Sequence, residues 1–249
     1  MKCSICDKML TNNYNKKTAS LLQHFSPRTS LSYALSEKTL LNAGIGRYFQ
    51  LPAYTTLGYR NSDGSLANEN TADYIGVQHY NLGIEHRFSE QSLFSIEGFY
   101  KDYFQYPIDL ISGSSLANQG ADYSSVAGAT AATFTGFGEA FGFELMNRLN
   151  YNKFSLLASY TFVRSRFSNL ANILIPSSWD SKHLLTITGS KELKRNWRFG
   201  FKWRFVGGLP YTPYDIETSS NINVDPQEIA KFEAMNPEPP VMRTFAICV

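Results

Sequence analysis

The nine residues Trp197-Arg198-Phe199-Gly200-Phe201-Lys202-Trp203-Arg204-Phe205 constrain this chain more than any other stretch of it. Every odd position is a large aromatic, and every even position is glycine or a cation. Successive side chains of a strand point to opposite faces. An extended backbone therefore separates Trp197, Phe199, Phe201, Trp203 and Phe205 from Arg198, Lys202 and Arg204, whereas a helix would mix the two sets around its circumference. The stretch predicts a β-strand. Taken alone it fits two environments: a soluble sandwich whose aromatics pack on a second sheet, or an outer-membrane barrel whose aromatics meet lipid while the cations line a wet lumen.

The same alternation recurs along the chain and predicts four hairpins. In the first, Leu31, Tyr33 and Leu35 lead through Ser36-Glu37-Lys38-Thr39 to Leu41, Ala43, Ile45 and Phe49. In the second, Tyr80, Leu82, Ile84 and Phe88 alternate with Glu85 and Arg87. After Ser89-Glu90-Gln91-Ser92, Phe94, Ile96 and Tyr100 alternate with Glu97 and Lys101. His86 falls on the apolar side near that turn and reads as a packed or interfacial histidine. The third hairpin sets Phe141, Phe143 and Leu145 against Glu144 and Arg148, turns at Asn150 to Lys153, and continues through Phe154, Leu156, Ala158, Tyr160 and Phe162. The fourth runs from His183, Leu185 and Ile187 through residues 191–196 into the aromatic stretch.

The connections decide between the two environments. The turns near residues 37, 90, 151 and 193 are short, while the interruptions 53–78, 104–138 and 167–181 are long. An up-and-down outer-membrane barrel sorts its connections in this way, with short periplasmic turns and longer outer loops; a Greek-key sandwich has no such reason. Several strands reach about 10 residues, as a tilted membrane strand requires, against about 5–6 for an average strand. Glu85, Arg87, Glu97, Lys101, Glu144, Arg148, Arg198, Lys202 and Arg204 all fall opposite the apolar set. They are the candidate lumen-facing residues. The candidate lipid-facing residues are Leu82, Ile84, Phe94, Ile96, Phe141, Phe143, Leu156, Tyr160, Trp197, Phe199, Phe201, Trp203 and Phe205. The fold class expected is all-β: an antiparallel, up-and-down transmembrane barrel portion of about eight strands with long outer loops.

Composition narrows the function classes. Of 249 residues 14% are aromatic, with 18 Phe and 15 Tyr, more than an ordinary core needs. A net charge of +2, with cations scattered through strands, gives no nucleic-acid footprint. No apolar run approaches the about 18 residues of a membrane helix, which is no objection to a barrel whose strands are half apolar. Of the three cysteines Cys3, Cys6 and Cys248, Cys3-x-x-Cys6 has the spacing of half a zinc site or a redox pair, but no second pair or suitable histidine follows, so Cys3 and Cys6 read as incidental. Scattered carboxylates such as Asp102 and Asp109 form no acid–base pair, and no triad spacing occurs. No enzyme activity, catalytic residue, cofactor or metal site is expected.

Particular segments resemble a known family. Gly46-Arg47-Tyr48-Phe49-Gln50-Leu51-Pro52, Tyr80-Asn81-Leu82-Gly83-Ile84-Glu85, Gly98-Phe99-Tyr100-Lys101-Asp102-Tyr103, Trp179-Asp180-Ser181-Lys182-His183-Leu184-Leu185 and Phe205-Val206-Gly207-Gly208-Leu209-Pro210-Tyr211-Thr212-Pro213 resemble the barrel of TonB-dependent outer-membrane receptors. The resemblance covers about residues 20 to 215. It implies a barrel of about 22 strands with a plugged lumen, placed in the outer membrane of a Gram-negative bacterium. Such a barrel takes up a siderophore, vitamin, glycan or peptide with energy delivered by the TonB complex. The partners implied are outer-membrane lipid, a plug domain, TonB and a small nutrient.

Against that family, residues 1–17 show no signal peptide or TonB box, no plug is recognisable, and the strands are too few. No aromatic-ended last strand appears either. The expectation is a fragment from the C-terminal half of such a receptor's barrel, cut off before its final strands, from a truncated gene, pseudogene or partial gene model, and not competent for transport alone. It divides into an unassigned, disordered segment 1–17, a partial barrel 18–215 and an irregular tail 216–249. A complete small barrel of porin or adhesin type and a soluble all-β carbohydrate-binding protein are the competing readings. Candidate loop contacts to a ligand are Tyr54, Tyr59, Tyr103, Phe104 and Tyr106, with Tyr74 a further loop tyrosine.

Overall fold

The computed structural model of the chain describes residues 24–119 and 128–210. The three cysteines and the segments 1–17 and 216–249 lie outside the described residues, as does the sequence from Tyr211 onward.

The alternating stretches form nine strands: β1 (Arg28–Ser36), β2 (Thr39–Gln50), β3 (Ile75–Ser89), β4 (Ser92–Asp109), β5 (Ala132–Tyr151), β6 (Phe154–Ser168), β7 (Leu174–Pro176), β8 (Lys182–Glu192) and β9 (Arg198–Val206). They make one antiparallel sheet in the order β1-β2-β3-β4-β5-β6-β8-β9, with the short β7 paired to the loop end of β6. Neighbours in sequence are neighbours in space, as up-and-down topology requires. The turns are tight for local reasons. Between β5 and β6, Asn152 and Lys153 both have positive φ, 44° and 61°, the geometry whose twist matches two antiparallel strands. Among the described residues no helix is long and apolar enough to cross a membrane. Among the described residues the one α-helix, α1, is the single turn Tyr54–Leu57.

The strands run further than their apolar alternation indicates. The interruption expected over 104–138 shrinks to 110–131, because β4 continues to Asp109 and β5 begins at Ala132. Gln105, with φ 55°, forms an irregularity between the pairs Phe104↔Phe137 and Tyr106↔Gly136. That extra residue breaks the two-residue period, and the glycines and small side chains opposite hide the alternation. Gly136-Phe137-Gly138 therefore lies inside β5. Likewise β3 starts at Ile75, and β7 occupies part of the third interruption. At 15, 18, 20 and 15 residues, β3 to β6 exceed the about 10 residues of a membrane span. The surplus projects at the end that carries the long loops.

The buried core lies there too. The buried hydrophobic residues among those described are Ala72, Ile108, Ala117, Ala132, Phe134 and Phe167, all in the loops or at the loop ends of strands. Along the strands many large apolar side chains are exposed, among them Leu31 66%, Leu82 58%, Phe199 56% and Ile45 54%.

Candidate functional site: two unlike faces and a loop-capped cleft

Directly paired residues of an antiparallel sheet share a face, so the register sorts every strand residue. One row reads Ile84↔Ile96↔Leu145↔Tyr160↔Leu185↔Phe205. The next rows toward the turns add His86↔Phe94 and Ile187↔Trp203, then Leu156↔Gly189↔Phe201 and Lys191↔Phe199. Toward the loops come Leu82↔Gly98↔Phe143↔Phe162 and Tyr80↔Tyr100↔Phe141. The residues proposed above as lipid-facing thus share one face, with Trp197 just ahead of β9 and 72% exposed. His86 packs at the turn, its Nδ1 2.8 Å from Thr39 Oγ1 and its ring 4.6 Å from that of Phe88.

Toward the loop end this apolar face is crossed by a row of charge, Arg47↔Gln78↔Asp102↔Glu139↔Arg166, beyond which Phe49, Phe104 and Phe137 continue it. Arg166 pairs with Glu139, and Arg164 Nε lies 3.1 Å from Asp180 Oδ1. Immediately inside the row, the rings of Tyr80, Tyr100 and Phe141 stand shoulder to shoulder at 6.4 and 6.5 Å. The spacing is informative: from Phe94 near the turn to Asp102 in the charge row, β4 covers one membrane-spanning length of about 9–11 residues. Sequence reading missed this boundary, although counting by twos from Ile96 reaches Asp102.

The other face carries Glu85, Arg87, Glu97, Lys101, Glu144, Arg148, Arg198, Lys202 and Arg204. Glu97 and Glu144 are directly paired and both exposed. Like charges opposite one another across two strands are destabilising unless water screens them, so this is a wet face. Asn81 Nδ2 donates to Glu97 at 3.5 Å and Thr161 Oγ1 to Glu144 at 3.4 Å. Arg198 and Glu192 pair at 2.6 Å near the β8–β9 turn.

Above the charge row, polar side chains stitch the three long loops together. Asn68 is buried; its amide donates to the carbonyls of Thr56 at 2.7 Å and Thr130 at 2.9 Å and accepts from Ala132 N–H at 2.8 Å. One side chain thereby joins the first loop to the second. Buried Asp109 accepts from Thr130 Oγ1, the Ile111 N–H and Gln119 Nε2. Ser178 Oγ ties the third loop to the Asn118 carbonyl at 2.7 Å. These buried polar groups satisfy one another, as an irregular loop cluster must.

Between this cluster and the ends of β2, β3 and β4 is a cleft of about 690 Å³. Tyr48, Gln50, Ile75, Val77, Tyr103 and Tyr106 enter it from the wet face, and Thr56, Leu116 and Gly128 from the loops. Tyr103 and Tyr106 flank Phe167, with ring centroids 5.2 and 4.5 Å from it. A Cβ on Gly138 would strike the Phe167 ring, so glycine there lets that ring lie against the sheet. Burial raises both phenols' pKa values above the ordinary 10.0, and the neighbouring Tyr103 adds to the rise at Tyr106.

Of the candidate ligand contacts, only Tyr103 and Tyr106 line the cleft. Phe104 projects from the opposite face, against Phe49 at 5.7 Å. Tyr54 is 75% exposed on α1, and Tyr59 is half-buried in the first loop, receiving the Ala67 N–H. Tyr74 packs on His24 at 4.3 Å. Phe167 and Thr56 escaped the sequence reading because each sits where alternation ends.

Residues 8–229 match the family described as TonB dependent receptor-like, beta-barrel. No curated protein matches the chain. Solved structures share its fold. The pyoverdine outer membrane receptor FpvA from Pseudomonas aeruginosa PAO1 is similar at 16% identity and TM-score 0.53, over 77% of this chain and 26% of that one. The FrpB iron transporter from Neisseria meningitidis is similar at 12% and 0.53, over 75% and 27%. The copper transporter OprC is similar at 16% and 0.51, over 73% and 26%. The chain thus spans about a quarter of the length of these solved neighbours.

Proposed function

Because the chain belongs to the TonB-dependent receptor β-barrel family, we propose that it forms one arc of the wall of an outer-membrane receptor for active uptake of a scarce nutrient in a Gram-negative bacterium. One observation carries the reading: burial is inverted. Apart from Leu157, the strands present their exposed large apolar side chains on a single face, while the buried hydrophobic residues among those described gather at the loop end. Monomeric proteins in water rarely expose apolar patches beyond a few hundred Å², whereas a barrel in lipid must present such a band. In this reading the face of Leu82, Ile84, Phe141 and Phe201 meets lipid, and the face of Glu97, Lys101, Glu144 and Arg204 lines the lumen.

An arc, and not a closed barrel, accounts for the edges. Among the described residues β1 and β9 each pair on one side only. Unpaired strand edges are not stable in hydrocarbon, so further strands would complete the wall, and the arc alone would not transport. A plug in the lumen and the TonB complex are the partners the family brings to a whole receptor. The neighbours' cargoes, pyoverdine, iron and copper, differ on one fold, so the cargo here rests on the loop cluster and its cleft. Fractionation of source cells with antibody to residues 197–205 tests the assignment. Signal in the outer membrane is the expected result; signal confined to the soluble fraction would overturn it.

A further inference from the structure

The β5–β6 and β8–β9 turns lie side by side at the end of the sheet away from the long loops. The Glu192 N–H donates to the Lys153 carbonyl at 2.9 Å, and Lys191 Nζ donates to the Asn152 carbonyl at 2.9 Å. Around them stand Lys153, Lys191, Lys194, Arg195 and Arg198 against a single carboxylate, Glu192, which Arg198 engages on the wet face at 2.6 Å. Lys153, Lys191, Lys194 and Arg195 have no carboxylate within ion-pair distance among the described residues. Four uncompensated cations in two turns exceed the +2 of the whole chain, so the charge is concentrated here. The other two turns show no such excess. Glu37 stands beside Lys38, and Arg87 lies 3.6 Å from Glu85 ahead of Glu90.

Turn geometry does not account for these cations. Lys153 and Arg195 both have φ 61°, a left-handed backbone that glycine or asparagine adopts at less cost. Their surroundings are specific too. The last row of the apolar face before the turns reads Tyr151↔Phe154↔Lys191↔Phe199, and Tyr151, Leu193, Trp197 and Phe199 are exposed. Lys191 thus stands between two aromatic residues on the lipid side, with its ammonium turned back toward the turn, as a cation does at a membrane surface. Exposed Trp and Tyr mark the same level. The patch continues the face that meets lipid and makes its rim cationic, at the end where short turns face the periplasm. An anionic phospholipid complements both parts, with acyl chains for the rings and phosphate for the cations. Resting on the receptor reading above, we infer that these two turns form a docking surface for anionic phospholipid of the periplasmic leaflet, of phosphatidylglycerol type.

The test uses the full chain with Trp179→Phe and Trp203→Phe, which leaves Trp197 as the sole tryptophan. It is folded into vesicles of phosphatidylcholine with a minor share of phosphatidylglycerol, and strand content is followed by circular dichroism. Bromine is carried on the phosphatidylglycerol in one sample and on an equal amount of phosphatidylcholine in the other. Attraction to anionic lipid strengthens about fivefold per cation, so brominated phosphatidylglycerol should quench Trp197 at least about twice as strongly. The combined changes Lys153→Gln, Lys191→Gln, Lys194→Gln and Arg195→Gln should equalise the two lipids at unchanged strand content, and so should high salt. Tyr33→Trp, in protein with Trp179, Trp197 and Trp203 all changed to Phe, should show no preference. Equal quenching of Trp197 by both lipids would overturn the inference, as would a preference that survives the fourfold change or recurs at position 33. Capture of soluble polyglutamate without any lipid preference would overturn it in favour of an acidic protein partner. Absence of quenching by either lipid, or loss of strand content, would instead overturn the receptor reading, and the inference with it.

Discussion

The Asp180 carboxylate, with its side chain 1% exposed, accepts from Arg164 Nε at 3.1 Å and from the Ser165 N–H at 2.9 Å. This fixes the start of β8 against β6 one row inside the charge row, where Arg164 pairs with Phe141. It also gives a physical role to the Trp179-Asp180-Ser181-Lys182-His183 segment, in which the carboxylate is buried while Trp179 is 61% exposed. Breaking a buried pair by removing one partner costs about 3–5 kcal/mol, because the remaining charge is stranded. Arg164→Ala is therefore expected to be strongly destabilising, and the double change Arg164→Ala with Asp180→Asn milder. Urea unfolding in lipid vesicles, read by tryptophan fluorescence, checks the order.

Asn68 is the joint between the first two loops. Asn68→Ala removes two donated hydrogen bonds and one accepted one, leaving buried backbone groups that cost about 1–3 kcal/mol each when unsatisfied. The predicted effect is local. Amide exchange should accelerate across residues 54–72 and 128–132, while β8 and β9 keep wild-type protection. Uniform acceleration through all strands would contradict a role confined to the loops.

Burial raises the pKa of Tyr103 and Tyr106 above 10.0. Above that value the folded chain holds protons that the unfolded chain has lost, so stability falls as pH rises. Their contribution is fully present below about pH 10, the unfolded tyrosine range, and is lost as pH rises through the folded values. Urea midpoints across that alkaline range should fall in the wild type and flatten in Tyr103→Phe/Tyr106→Phe. Equal slopes in both proteins would contradict burial of the phenols.

Phe143 and Glu144 are adjacent in β5 and lie on opposite faces, Phe143 on the row of Gly98, midway between Phe94 and Asp102. A cation at the midplane of the lipid face costs about 2–4 kcal/mol, while changes on the lumen face leave stability nearly untouched. Phe143→Arg should lower the unfolding free energy in vesicles by that amount, and Glu144→Gln should be nearly silent. Equal tolerance of both would contradict the two-face assignment.

The strands were legible in the sequence because one local rule, alternation, governs them. The order Phe201-Lys202-Trp203 states which side chains share a face, and the register agrees. Alternation failed where the chain obeys something else. Gln105 inserts a residue into β4, so Tyr103 and Tyr106 reach the same face from an odd spacing while Phe104 leaves for the other. The residues that hold the loop end, Asn68, Asp109 and Asp180, are polar side chains whose partners lie up to 64 positions away. Nothing local marks them. Thr56 lines the cleft only because Asn68 holds its carbonyl in place.

Trp203 tests the central claim most directly. In Trp179→Phe/Trp197→Phe protein it is the sole remaining tryptophan, on the apolar face opposite Ile187. Its partner experiment uses Lys202→Trp in protein that also carries Trp203→Phe. Both are folded into vesicles containing brominated lipid, and each is also exposed to aqueous acrylamide. The account predicts that brominated lipid quenches Trp203 and that acrylamide quenches the indole at position 202. Quenching of Trp203 by acrylamide, with none from brominated lipid, would contradict it.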